Sequence, residues 1–309
     1  LLRDAATAAS LSPEVIVRFG GQPTSGSLNA WMARHASADV WLVDEAAAFR
    51  DPQHRATRMF RTSPRQFCEL AAASPPARAS DQAWRGEWRR LDAVARAAAA
   101  DVLASQDAFL TPHLAAALWT QLPDGATLYV ANSMAVRDVD AFAGPRPADL
   151  RLLANRGVNG IDGLVSCALG AAAAKPVPTV LWCGDLAYLH DVSGLLAGQL
   201  LGADLTVVVS NDDGGGIFEY LPIAASIPRP LFEQAFALSH GTDLCQVAQG
   251  CGWQAALADS APAFEQALAR ALEGGRHVIE VPVDRAANTA FHRALAEQVG
   301  AALQRARRP

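Results

Sequence analysis

Cysteine is scarce and unpatterned in this chain: Cys68, Cys167, Cys183, Cys245 and Cys251 form no CxxC pair and no disulfide-like spacing. A reducing, cytoplasmic setting is therefore expected. Long apolar runs are also missing, since no stretch of about 18 apolar residues is free of charges or breakers, so no membrane span is expected. Leu1-Leu2-Arg3-Asp4 does not open a signal peptide. A basic surplus is lacking: 26 Lys and Arg stand against 31 Asp and Glu, a net charge of −5. That argues against a nucleic-acid surface, and Arg305-Ala306-Arg307-Arg308 reads as a solvated tail. No GxGxxG follows a first strand, which disfavours a flavin- or nucleotide-binding protein. What the chain does have is length and apolar content, 309 residues at 51% hydrophobic, enough for one large or two moderate domains.

The most informative stretch is Gly184 to Phe218. The apolar run Val180 to Cys183 stops at Gly184-Asp185, and a helical segment follows to about Leu201. Leu205 to Val209 is a second β-branched run, ending in Ser210-Asn211-Asp212. This is a βαβ unit, whose crossover makes the two strands parallel and brings both C-termini to the ligand-binding edge of the sheet. Asp185 and Asp212, 27 residues apart, are thereby expected to meet. Two carboxylates with free carbonyls suit a hard cation such as Mg2+. Gly214, Gly215 and Gly216 offer amides to a phosphate; the alternative is an ordinary turn with Asp185 as a helix cap.

Toward the N-terminus, Val15 to Phe19, Leu28 to His35, Val40 to Val43 and Thr57 to Phe60 read as strand, helix, strand and short strand. These are too few strands for a self-sufficient sheet and look like the second half of a domain. Residues 74–82, SPPARASDQ, form a Pro- and Ser-rich linker. Gln82 to Asp107 follows as an amphipathic helix, with Trp84, Trp88, Leu91, Val94 and Ala98 as its packing face. Domain boundaries are accordingly placed at 1–75, 76–107 and 108–309.

In the last region Thr127 to Ala131 is a strand ending in Asn132-Ser133-Met134, with Arg137 one turn on. Leu150 to Ala154 is the next, ending in Asn155-Arg156. Arginines at neighbouring strand ends draw carboxylate ligands through forked hydrogen bonds; the alternative for each is a surface ion pair worth under about 1 kcal/mol. A helix from Leu164 to Ala174 takes Asp162 as its N-cap, and Ile161 either packs on a ligand or staples that helix. His190 is a candidate proton carrier, and His240, followed by Gly241, marks a helix terminus.

Gly184-Asp185 followed by Asn211-Asp212 resembles the diphosphate-binding motif of thiamine diphosphate enzymes. The segments SMAVRD (133–138) and NRGVNGIDG (155–163), with GDLAYLHD and NDDGGGIF, resemble the branch of that family acting in menaquinone biosynthesis. The resemblance implies an α/β fold, a parallel-sheet thiamine diphosphate-binding domain preceded by a partial middle domain. It implies metal ligation, by Mg2+ or Mn2+, through Asp185, Asp212 and Gly214. Cofactor contacts are implied for Ile161, Asp185, Leu186, Gly214, Gly215, Ile217 and Phe218. Substrate contacts are implied for Asn132, Ser133, Arg137 and Arg156, with 2-oxoglutarate and isochorismate as substrates of a transferase. A homodimer or homotetramer is implied as well. The family's cofactor-activating glutamate belongs to an N-terminal domain this chain is expected to lack, so no catalytic residue is assigned. Where relatives place Lys or Arg after the turn at Gly20, this chain has Thr24-Ser25-Gly26-Ser27. Alternatives are another enzyme of the family, of acetolactate synthase or 2-oxoacid decarboxylase type, and an inactive cofactor-binding fragment.

Overall fold

The structure is a computed structural model describing residues 1–74, 82–146 and 149–307. Most of the linker read from the sequence, residues 75–81, lies outside the described residues. The chain divides into two compact units, Leu1–Ala104 with Ala294–Pro309, and Ser105–Arg293.

In the first unit β1 (Val15–Phe19), β2 (Asp39–Val43) and β3 (Arg58–Phe60) form a three-stranded parallel sheet in that order. Alternation along β1 buries Ile16 and leaves Val15, Val17 and Phe19 more than one-third exposed. Helix Gly26–Arg34 starts at Ser25, whose hydroxyl accepts from the Leu28 amide. It buries Trp31 and Met32 against Ile16 and Val40. Gln82–Ala104 is the expected amphipathic helix. Leu91 and Ala95 are buried with Leu11 and Leu303, and Trp88 stands edge-on to Trp31 at 5.7 Å.

The second unit holds six parallel strands: β4 (Thr127–Val130), β5 (Arg151–Leu153), β6 (Thr179–Gly184), β7 (Leu205–Asn211), β8 (Gln254–Leu257) and β9 (Arg276–Pro282). Their order is β5-β4-β6-β7-β9-β8. The central strands are covered on both faces, which is why TLYV, TVLWC and LTVVV are continuous apolar runs rather than alternating ones. After β4 the chain steps outward to β5, then returns to lay β6 on the other side of β4. Such a reversal opens a crevice at the strand C-termini, where ligands of open α/β sheets bind.

Two local expectations are corrected. One helix from Asp185 to about Leu201 is expected, but the structure has Asp185–His190 and Gly194–Leu201. The break frees Asp191, 9% exposed, to accept from the Ser166 amide at 2.7 Å and its hydroxyl at 3.0 Å. That carboxylate caps helix Leu164–Ala174 from a distant turn, so Asp162 is not the N-cap: Gly163 occupies that position in the left-handed region. Gly194 has no room for a side chain, since a Cβ would stand 2.8 Å from Ser166 Oγ.

Candidate active site

Strand register brings the two carboxylates together. Gly184 is paired with Ser210 across β6 and β7, so Asp185 and Asp212 leave the sheet within two residues of one another. They border a cavity of about 370 Å³ at the C-terminal edge. All twelve residues singled out from the sequence line it: Asn132, Ser133, Arg137, Arg156, Ile161, Asp185, Leu186, Asp212, Gly214, Gly215, Ile217 and Phe218. His190 does not line it and is exposed in the last turn of its helix.

Asp185 is 1% exposed, with Oδ1 accepting from the Leu186 amide and Oδ2 from the Gly214 amide at 2.8 Å. Burial raises its pKa, while those two amides and His240 act the other way. Burial and the neighbouring Asp185 charge push Asp212 up to about 7, against a partial offset from Arg285. A buried and a half-buried carboxylate with too little positive charge between them form a donor set that a divalent cation balances, so these residues fit a metal.

The sign of the Asp212 shift makes a prediction for the metal-free protein. Its pKa in the folded chain lies above the ordinary 3.8, so ionisation destabilises the fold progressively from about pH 4 to 7, and fully above 7. Asp212→Asn stays neutral throughout. In chelator at pH 8 it is expected to gain up to about 4 kcal/mol in urea unfolding, a gain that shrinks as the pH falls below 7. An equal gain at every pH would contradict this origin.

The three glycines are demanded by packing. Gly214 sits at φ 138° and a Cβ there would overlap the Ala237 carbonyl. At Gly215 it would meet Phe236 O at 2.6 Å and the Phe218 ring at 2.7 Å, and at Gly216 it would overlap the Asp212 carboxylate. The Gly215 amide donates to Ala237 O at 2.6 Å, tying the turn to the π-helix Glu233–Ala237. Phe218 is partly buried, edge-on to Phe236 at 5.6 Å, and still reaches the cavity.

On the opposite side, Asn132 spends its amide on the framework. Nδ2 donates to Asn155 O at 2.8 Å and Gly160 O at 2.6 Å, and Oδ1 accepts from Arg156. Its place is therefore to hold Arg156. Ser133 has φ 63° and ψ −132°, a strained backbone for a non-glycine residue of the kind that concentrates at functional sites. Arg137 and Arg156 are exposed and form no ion pair with a carboxylate among the described residues, which removes the surface-pair alternative. Desolvation, and then the Arg137 charge, lower the Arg156 pKa, placing two cations side by side.

Several lining residues were missed. Thr111, Tyr220, Asn288 and Thr289 also border the cavity. The Thr111 amide and hydroxyl both donate to Asn288 Oδ1, at 3.2 and 3.1 Å. His292 Nε2 lies 2.9 Å from Asp138 Oδ1, and its Nδ1 lies 3.0 Å from the Tyr220 hydroxyl. Asn288, Thr289 and His292 recur at helical spacing within Arg285–Ala306, and that polar face was the one signal available. His240 is also corrected: it lies beyond the π-helix, and its Nε2 is 3.3 Å from Asp185 Oδ2.

Two family models match the chain, the first of them running past Ala104 into the second unit. Residues 1–130 match the middle domain of thiamine pyrophosphate enzymes, and residues 146–281 match their C-terminal TPP binding domain. Curated relatives named 2-succinyl-5-enolpyruvyl-6-hydroxy-3-cyclohexene-1-carboxylate synthase include one from Chloroflexus aurantiacus, 40% identical over 99% of this chain and 52% of its own length. Another, from Myxococcus xanthus, is 41% identical over 98% of this chain and 51% of its own length. A third, from Geobacillus kaustophilus, is 36% identical over 97% and 51%. The chain thus spans about half the length of the curated relatives it matches. Among the described residues no helix is long and apolar enough to cross a membrane.

Proposed function

Because the chain belongs to the thiamine pyrophosphate enzymes, carrying their middle and C-terminal domains, we propose that its cavity holds thiamine diphosphate with Mg2+ or Mn2+. We propose further that the protein acts in menaquinone biosynthesis as a transferase. It decarboxylates 2-oxoglutarate and joins the remaining four-carbon unit to isochorismate, giving 2-succinyl-5-enolpyruvyl-6-hydroxy-3-cyclohexene-1-carboxylate. In this reading residues 1–75 are the C-terminal half of the middle domain, 76–107 a linker and helix, and 108–309 the diphosphate-binding domain. The assembly is a homodimer or homotetramer in the cytoplasm, without nucleic acid or membrane as partner.

One observation carries the reading: a carboxylate pair and an arginine pair border the same cavity. Thiamine diphosphate supplies the electron sink for 2-oxoacid decarboxylation, while protein groups bind, orient and balance charge. Asp185, Asp212 and the Gly214 carbonyl hold the metal, and the glycine turn receives the diphosphate. Ile161, Leu186, Ile217 and Phe218 supply the apolar walls that exclude water from the reacting end. Arg137 and Arg156 take the carboxylates of 2-oxoglutarate and isochorismate, Asn132 keeps Arg156 in register, and Ser133 borders the same region.

The test separates the two halves of the cavity. Arg137→Met and Arg156→Met are each expected to weaken 2-oxoglutarate binding about 10-fold or more, the loss of a charge-assisted hydrogen bond. Metal-dependent thiamine diphosphate binding should change less than about 3-fold by titration calorimetry. Equal weakening of both ligands, or of neither, would refute the assignment. Formation of the cyclohexene product from isochorismate distinguishes this reaction from simple decarboxylation.

A further inference from the structure

The site as described leaves His240 without a role, yet its ring is 12% exposed and directed at the most buried carboxylate of the cavity rim. Nδ1 accepts from the Thr242 amide at 3.0 Å. In a neutral imidazole that bond assigns the single ring proton to Nε2. Nε2 is buried and makes no regular hydrogen bond, and it lies 3.3 Å from Asp185 Oδ2. A buried N–H without a partner is costly, and the carboxylate is the group that relieves it.

The loop carrying the ring is held by the same turn. Asp213, next to Asp212, accepts from the backbone amides of His240 and Gly241 at 2.9 and 2.8 Å through one oxygen. Leu238 and Gly241 adopt left-handed backbone, φ 58° and 57°, to bring the chain back. A closed circuit results: Asp185 accepts from Gly214, Asp213 of the same turn clamps the loop, and the loop returns His240 to Asp185.

We propose that His240 is a positioning residue for Asp185, using its Nε2–H to set the carboxylate that ligates the divalent metal. This rests on the metal and thiamine diphosphate reading above. Outer partners of this kind fix the orientation of a ligand, and their removal typically costs about 10- to 100-fold in metal affinity. Glutamine retains a side-chain N–H donor, whereas leucine fills similar space with none.

The experiment titrates Mn2+ into the chain with thiamine diphosphate present, reading free Mn2+ by electron paramagnetic resonance, for the native chain, His240→Leu, His240→Gln and Asp185→Ala. Expected are about 10-fold or more weakening for His240→Leu, less than about 3-fold for His240→Gln, and near-complete loss for Asp185→Ala. Long-range 15N–1H spectra of the unliganded chain are expected to show His240 protonated at Nε2 and bare at Nδ1, a readout independent of metal. Native affinity in His240→Leu beside lost binding in Asp185→Ala would overturn the positioning role and leave the metal reading intact. A proton on Nδ1 would also overturn it. No Mn2+ binding by the folded native chain would overturn both.

Discussion

Asp185→Ala is expected to remove metal-dependent thiamine diphosphate binding, with a loss of roughly 100-fold or more in titration calorimetry. The loss should exceed the about 10- to 100-fold typical of outer partners, because on the proposed reading a metal ligand itself is deleted. Two effects add. The cation loses a carboxylate at the end of β6, and the Gly214 amide loses its 2.8 Å acceptor just where the glycine turn begins. Burial opposes ionisation of Asp185, so removal also relieves the repulsion that raises Asp212. Relief of that repulsion and loss of the acceptor for the Gly214 amide oppose each other, so urea unfolding at pH 8 in chelator is the control that separates lost binding from lost structure. Binding within about 3-fold of the native chain would remove Asp185 from the metal set.

Gly214→Ala is expected to have the largest effect on stability, about 3–5 kcal/mol in urea unfolding of the second unit. The backbone term comes from φ 138°, costly for an L side chain by about 1–3 kcal/mol. The packing term comes from overlap with the Ala237 carbonyl, and overpacking adds about 1–3 kcal/mol. Relief is difficult, because Ala237 O also accepts from the Gly215 amide and ends a π-helix. As a control, Gly157→Ala meets nothing within 4 Å and is expected to change stability by less than about 1 kcal/mol. A loss at Gly214 as small as at Gly157 would show that the turn can rearrange.

Much of the carboxylate side was legible because its cause is local. Val180 to Cys183 and Leu205 to Val209 are strands on composition alone, and a βαβ crossover forces them parallel with both ends at one edge. Asp185 and Asp212 follow from that geometry without knowledge of any other element. The arginine pair needed slightly more, the adjacency of β4 and β5, and consecutive strands are usually neighbours. The helix break at Asp191 was not legible, since DVSGLLAG carries helical apolar spacing and its turn is set by a cap on Ser166. Asp162 failed as a cap for the same reason: a distant carboxylate already satisfied that helix end.

His240, Asn288, Thr289 and His292 belong to a different class. Asn288 and Thr289 reach the cavity, and His292 reaches the Tyr220 hydroxyl, through the position of β9 and the helix after it relative to β7, and β9 is inserted between β7 and β8. No periodicity or motif encodes that order. His292 meets Asp138 across 154 residues, and His240 reaches Asp185 only because Asp213 folds an irregular loop backward. Residue order therefore settled the strands, the parallel βαβ unit and the approach of two carboxylates, all consequences of backbone preference and hydrophobic pattern over short separations. Folding in three dimensions settled which polar groups stand around them, His240 beside Asp185 among them, because side-chain contacts between distant segments depend on sheet order and loop path, and neither leaves a mark in local composition.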